Sequence, residues 1–272
     1  MEQLSQILAK SKKLFILTGA GISKESGIET FTDSKDGLWA NYNIEDVCTP
    51  QAFQRNPDLV YEFYNKRRQE LNSGIKPNKA HKLLVELEKA LEINIITQNI
   101  DNLHEISGSS SIIHMHGELN KVRCIMDESH IFEWYENLDE THKCPHCGAQ
   151  MRPHVCFYGE MPYQMDEIHN LAMESSLFVS IGTSGGTYPA AGFVSLFKEM
   201  KKPTVELNLD GNYLYINIYN ENEEIINILG GGSEALREFS KESQRFGALS
   251  DAQVRSVEAF NDSVVRLKTV LL

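Results

Sequence analysis

Three groups of residues have the types and spacing to do chemistry. Cys144-Pro145-His146-Cys147 sets two thiols at the spacing that grips one metal ion, and Cys124 lies upstream in the same polar stretch. His116 precedes Gly117 in the run "IIHMHGEL" and is the best candidate general base, because an imidazole titrates near working pH. Gly19-Ala20-Gly21 follows the apolar run Leu14-Phe15-Ile16-Leu17 at once, as where a buried strand enters a tight turn. Glycines there let a phosphate approach the backbone, and the next helix offers unpaired N–H groups. The next glycine is Gly27, too late for the dinucleotide fingerprint, and no Gly-Lys-Ser/Thr follows. Spacing alone therefore leaves two readings open, a nucleotide-binding turn and a turn with no ligand.

The elements that must position these residues alternate. Short apolar strands are predicted at Leu14–Leu17, Ile93–Thr97, Leu177–Ile181 and Thr204–Leu207, with helical patterns at Pro57–Leu71 and Ala80–Leu91 between them. This order predicts an α/β fold, a Rossmann-like doubly wound parallel sheet whose ligands sit beyond the carboxyl ends of its strands. Polar residues stand at those ends: Gln98, Asn99, Ile100 and Asp101 after one strand, Gly182-Thr183-Ser184 after another, Asn208 after a third. Each is ordinary turn chemistry alone; together they support a shared crevice. The polar, cysteine-bearing interval 122–150 interrupts the alternation and reads as a small insertion. Beyond Ser250, Val254, Val257, Phe260, Val264, Leu267 and Leu271 recur at helical spacing after a Ser250-x-x-Gln253 capping box.

The chain has 272 residues, 41% of them hydrophobic, enough for one large domain with an insertion. Its formal net charge of -12 argues against coating nucleic acid or a polybasic membrane role, and no apolar run is long enough to span a membrane. The start "MEQLSQILAKSKK" lacks a signal-peptide core, and five cysteines is an odd number, so reduced thiols and a cytoplasmic location are expected.

Seven motifs resemble, in order and spacing, those of the sirtuins, the NAD-dependent protein deacylases. They are Gly19-Ala20-Gly21-Ile22-Ser23, Ser26-Gly27-Ile28, Gln98-Asn99-Ile100-Asp101, His116-Gly117, Phe157-Tyr158-Gly159-Glu160, Gly182-Thr183-Ser184 and Leu207-Asn208. The resemblance runs from about Leu14 to Phe239 and is nearest to the short bacterial, desuccinylase-like class, through "HMHGELNKVRC", "RPHVCFYGEMP" and "YPAAGF". It implies an NAD-binding domain over 1–121 and 151–272, with the insertion 122–150 inside a discontinuous small domain. The pyrophosphate would lie near Gly19, Ala20 and Gly21. Gln98 and Asn99 would orient the nicotinamide-side ribose, and Asp101 would hold the carboxamide. Asn208, Leu209 and Asp210 would serve the adenosine ribose. Phe31, Trp39, Ile100, Gly182, Thr183, Ser184 and Gly232 would be further cofactor contacts. In the family the acyl-lysine oxygen attacks the ribose C1′ and nicotinamide leaves. His116 would then be general base on the ribose hydroxyls, giving O-acyl-ADP-ribose and free lysine. The peptide would add as a strand between the loops at Gly159 and Gly185.

The resemblance has gaps. The family usually has Phe-Arg where this chain has Phe31-Thr32, so phosphate-side charge is lost unless Lys35 substitutes. The adenine-side Gly-x-Ala has become Gly230-Gly231-Gly232. Of the family's four zinc thiols Cys124, Cys144 and Cys147 remain, and Asp127 stands in the fourth place. Asp127, His130, His142 or His146 can complete a structural zinc site; a metal-free loop is the alternative. Tyr64 and Arg67, three apart on a predicted helix, share a face. By the resemblance they receive the distal carboxylate of succinyl- or malonyl-lysine, and acetyl-lysine is also expected as a substrate. Two other functions fit the same motifs: an ADP-ribosyltransferase or NAD glycohydrolase, and a catalytically impaired protein that binds NAD or acyl-lysine.

Overall fold

The computed structural model describes residues 11–28, 42–183, 188–210, 213–219 and 225–231. Phe31, Thr32, Lys35, Trp39, Ser184, Gly185, Gly232 and the expected C-terminal helix lie outside the described residues.

The first strand, β1 (Lys13–Thr18), is buried along nearly its whole length, as its unbroken apolar run requires. A 3-10 turn over Ala20–Ser26 follows it. The next described elements are α1 (Ile44–Val47), α2 (Pro50–Arg55) and α3 (Pro57–Leu71). The start of α3 is written locally. Asn56 caps it, its side chain accepting from the Leu59 N–H at 3.3 Å, and Pro57 takes the first turn, where no N–H is needed. After α4 (Lys79–Leu87) the chain enters β2 (Glu92–Thr97), α5 (Leu103–Ser107), β3 (Ile112–His114), β4 (Gly117–Cys124), β5 (Ile131–Glu133) and β6 (Met151–Val155). It returns through α6 (Met165–Glu174), β7 (Leu177–Ile181), α7 (Gly192–Glu199), β8 (Thr204–Asp210), β9 (Tyr213–Tyr219) and β10 (Ile225–Gly231).

The large sheet has the order β10-β9-β8-β7-β1-β2-β3. The strands from β8 to β3 pair in parallel, as the alternation predicted. The edge differs: β8, β9 and β10 form an antiparallel meander that the sequence reading did not separate. α4 stops at Leu87, short of the expected Leu91, and Glu88–Ala90 close it as turns. The small sheet, β5-β4-β6, is antiparallel. Its longer strands enter at Gly117 and leave at Val155, either side of the 122–150 interval.

Two cores result. One packs Phe15, Phe178, Phe193 and Phe197 against the large sheet, with the Phe15 and Phe193 rings 5.1 Å apart. The other joins Phe53, Tyr61, Phe63 and Tyr64 to Leu119, Val122, Met151, Val155 and Phe157 of the small lobe. The carboxyl ends of β1 and β2 open between them. Among the described residues no helix is long and apolar enough to cross a membrane.

Candidate active site and metal centre

A cavity of about 690 Å³ lies between the second core and the turns that follow β1 and β2, within the size of a small-molecule site. One end is lined by Ala20, Ser23, Gln98, Asn99, Ile100, Asp101 and His116; the other by Cys48, Tyr64, Arg67 and Phe157–Glu160. The expected catalytic, nicotinamide-side and acyl-reading residues thus share one space.

The first end is built by close backbone approach. The Gly19 N–H donates to the Ile181 carbonyl at 3.0 Å and the Gly21 N–H to the Gly182 carbonyl at 2.8 Å. A Cβ on Gly19 would lie 2.7 Å from the Gly182 oxygen, so only glycine permits the contact. Across it, Asn99 Nδ2 donates to the Gly19 carbonyl and to Ser23 Oγ, both at 3.1 Å. Ser23 Oγ donates in turn to Asp101 Oδ2 at 2.9 Å, and Asp101 Oδ1 accepts from the Leu103 N–H. Burial pushes the Asp101 carboxyl above the usual carboxylate range, against these two hydrogen bonds. Gln98 Nε2 reaches Thr183 Oγ1 at 2.9 Å, and Asn208 Nδ2 holds the Thr183 carbonyl at 2.6 Å. Asn208 therefore shapes the Gly182-Thr183 turn. Leu209 and Asp210 continue β8 beside it.

His116 is held by a single feature with a chemical consequence. Its Nδ1 lies 3.1 Å from the Gln98 carbonyl. A carbonyl only accepts, so Nδ1 carries the proton and Nε2 keeps the lone pair. Burial lowers the pKa of the ring below its ordinary value, outweighing that bond, and keeps it neutral at pH 7. A neutral imidazole with a directed lone pair is what a general base requires.

At the other end α3 presents Tyr64 and Arg67 to the cavity, and the Arg67 guanidinium lies 4.7 Å from the Phe63 ring centre. Their neighbour Arg68 turns away, donating from Nε to the Leu119 carbonyl at 2.9 Å. Tyr64 stacks on Phe157 at 5.9 Å. The Phe157 loop is clamped from beneath. Arg152 donates to both Glu160 oxygens, at 2.6 and 3.0 Å, and its guanidinium lies 3.5 Å over the Phe157 ring. Glu160 Oε2 also accepts from the Phe157 N–H at 2.7 Å. Paired and nearly desolvated, this bidentate clamp fixes the loop that forms the cavity wall.

Sequence reasoning missed Ser23 as a bridge, the Arg152–Glu160 clamp and His114. His114 places Nδ1 2.9 Å from the Asn99 carbonyl and Nε2 2.7 Å from Glu105, steadying the Asn99 turn from behind. Its nearness to His116 in "HMHGEL" was the available signal.

In the small lobe Cys124, Cys144 and Cys147 converge, and His130 is the fourth donor. Cys124 Sγ and Cys147 Sγ are 3.4 Å apart, and Cys144 Sγ is 3.6 Å from His130 Nδ1. Zn–S bonds of about 2.3 Å in a tetrahedron put sulfurs roughly 3.8 Å apart, so the donor set fits zinc. Asp127 is not the fourth donor in this cluster. Its Oδ2 lies 3.5 Å from His130 Nε2, the outer-shell place that orients a metal-bound imidazole. His142 is turned to Asp139, and His146 lies tilted against His130 with the ring centres 4.4 Å apart.

Comparison with known proteins agrees with this geometry. Residues 19–189 match the Sir2 family model. The NAD-dependent protein deacylase SIR2rp3 of Leishmania major is 52% identical over 202 residues, covering 71% of this chain and 82% of the relative. An NAD-dependent protein deacylase of Bdellovibrio bacteriovorus is 51% identical over 203 residues, covering 73% and 85%. Among solved structures, a Sir2 homolog–NAD complex superposes with a TM-score of 0.69 at 38% identity, covering 77% of this chain and 83% of the other.

Proposed function

We propose that this chain, which belongs to the Sir2 family, is an NAD-dependent protein-lysine deacylase that accepts acetyl-lysine and acyl-lysines ending in a carboxylate. The observation that carries it is the placement of a neutral, lone-pair-directed His116 between the polar turn of Asn99 and Asp101 and the Tyr64–Arg67 wall. The relatives' names support NAD-dependent protein deacylation.

The residues divide the work. The glycine contact between Gly21 and Gly182 and the Asn99–Ser23–Asp101 chain form a small, rigid, polar end suited to a pyrophosphate and a ribose. NAD supplies the ADP-ribosyl acceptor that makes the stable acyl amide separable. His116 Nε2 takes a proton from a hydroxyl presented at the cavity, and its Nδ1–H is held by Gln98 throughout. The aromatic faces of Phe157 and Tyr64 exclude water from the acyl chain. Arg67 offers a planar fork, and Tyr64 a hydroxyl, to a distal carboxylate. The three thiols and His130 would hold zinc as a structural tie in the small lobe, away from these groups. All five cysteines are free, which supports a reducing, cytoplasmic setting.

The experiment is direct. Purified protein, NAD and an acyl-lysine peptide should yield O-acyl-ADP-ribose and nicotinamide in equal amounts. Nicotinamide release without peptide would instead identify a glycohydrolase or ADP-ribosyltransferase, and binding without turnover a sensor.

A further inference from the structure

The run "HMHGEL" holds a second histidine that the reaction does not use. His114 is buried, and both of its ring nitrogens face acceptors: Nδ1 lies 2.9 Å from the Asn99 carbonyl and Nε2 2.7 Å from Glu105 Oε1. A carbonyl and an ionised carboxylate only accept, so each nitrogen must carry a proton and the ring is an imidazolium. His116, two residues on, meets one carbonyl and stays neutral. Burial favours a neutral His114 ring, but Glu105 of α5 and then Glu118 of β4 outweigh it and raise its pKa. Burial likewise works against the Glu105 charge, and the bond to His114 overcomes it and keeps that carboxylate below its usual range. Lys121 of β4 bonds Glu118 at 2.7 Å and faces Glu105 as well. The other titratable groups around the ring are His104 of α5 and His154 of β6, both held neutral by burial, and Asp101 across the turn.

We propose that His114 is a charged positioning residue: as an imidazolium anchored on Glu105 it holds the Asn99 carbonyl, and so sets the turn that brings Asn99 and Asp101 into the cavity for NAD. The part on NAD rests on the proposed reading of that turn as a cofactor wall; the charge on the ring does not. One proton governs the contact. A neutral imidazole has a single N–H, and of the two bonds the charge-assisted one to Glu105 is the stronger. Nε2 therefore keeps its proton, Nδ1 turns a lone pair on the Asn99 carbonyl, and an attraction becomes a repulsion. Because the pKa is raised, the contact is whole below about pH 6.5 and is lost as the pH rises through the raised value.

Two measurements on the full chain test this. NMR of protein labelled at the histidine ring nitrogens reads the charge without any ligand, the His114 signal being assigned by its loss in His114→Phe or His114→Gln. That signal should titrate with a midpoint above about 6.5, and should fall below it in Glu105→Gln. Calorimetric titration with NAD then reads the contact. The wild-type Kd should rise about tenfold or more between about pH 6 and about pH 9, as the loss of a charged hydrogen bond predicts. In Glu105→Gln the introduced amide can donate to Nε2, so a neutral ring keeps its Nδ1–H on Asn99 and the rise should shrink to about twofold or less. His114→Phe should bind NAD about tenfold more weakly than wild type at about pH 6 and show no alkaline rise. A wild-type His114 midpoint below about 6.5 would overturn the charge, whatever the variants do. An equal alkaline rise in wild type and Glu105→Gln would overturn the positioning role alone. Protein that binds no NAD at any pH, with the ring charged, would sink the cofactor reading and the positioning role together and leave the imidazolium standing.

Discussion

Gly21 and Gly182 touch backbone to backbone: the amide of one donates to the carbonyl of the other at 2.8 Å, and a Cβ on Gly21 would fall 2.7 Å from the Gly182 Cα. The contact draws the turn after β1 onto the turn after β7. Gly21→Ala must push those turns apart. It should weaken NAD binding at least tenfold and lower stability by about 1–3 kcal/mol, the usual cost of overpacking. Isothermal titration and a melting curve check both; NAD affinity equal to wild type would refute the contact's role in the site.

His116→Ala should reduce deacylation by about 10²–10⁴-fold, the contribution of a positioned base, while NAD still protects the protein against heat. The pH profile carries a sign. The His116 pKa lies below its ordinary value because the ring is buried, so the active neutral form persists through mild acid. The acid limb of kcat/KM should have its midpoint below about 6.5. A midpoint above 7 would contradict the burial.

Arg67→Met should lower the succinyl-to-acetyl ratio of kcat/KM by about ten- to a hundredfold, since a charged hydrogen bond is worth roughly 1.5–3 kcal/mol. Equal loss of both activities would make Arg67 a structural residue.

Purified protein should carry zinc in a one-to-one ratio by metal analysis. His130→Ala should lose most of it. Asp127→Asn should retain zinc but release it to a chelator about ten- to a hundredfold more readily, as outer-shell changes do. Full zinc in His130→Ala would exclude that imidazole from the ligand set.

Stability should fall in acid above the range in which ordinary carboxylates titrate. His81 is fully buried and His154 nearly so; burial lowers both to a pKa of about 4, and Arg123, Lys121 and Arg152 press further on His154. Unfolded, each gains a proton below about 6.5. The folded state loses ground from that pH down to about 4, by as much as about 2 kcal/mol per ring at pH 5. Melting temperature should drop between pH 7 and 5, and His154→Gln should flatten the slope. An unchanged slope would mean that the ring takes up a proton while folded.

What the sequence disclosed followed from locality. β7 was read to its ends because a run of apolar residues stops at glycine, and α3 because Asn56 and Pro57 write its start within two residues. The four-way choice at the metal site was different. Asp127, His130, His142 and His146 are equivalent in the chain, and only the fold turns His130 Nδ1 toward Cys144 while spending His142 on Asp139. Ser23 and Asp101 form one hydrogen-bonded unit across 78 positions, a separation that no periodicity reports. The antiparallel edge of β9 and β10 depends on β8 being already in place, so its pattern has no meaning until the sheet is assembled.

β1 sits between β2 and β7, and its partner Leu177 is paired with Leu14. During synthesis β1 emerges before both strands that flank it, and its second neighbour follows roughly 160 residues later. At about 5–20 residues per second that interval is on the order of ten to thirty seconds. Throughout it, an apolar strand has one edge unpaired and the Gly182 turn that completes the site is not yet made. The central position that buries β1 in the finished enzyme also leaves it waiting for its second neighbour during synthesis.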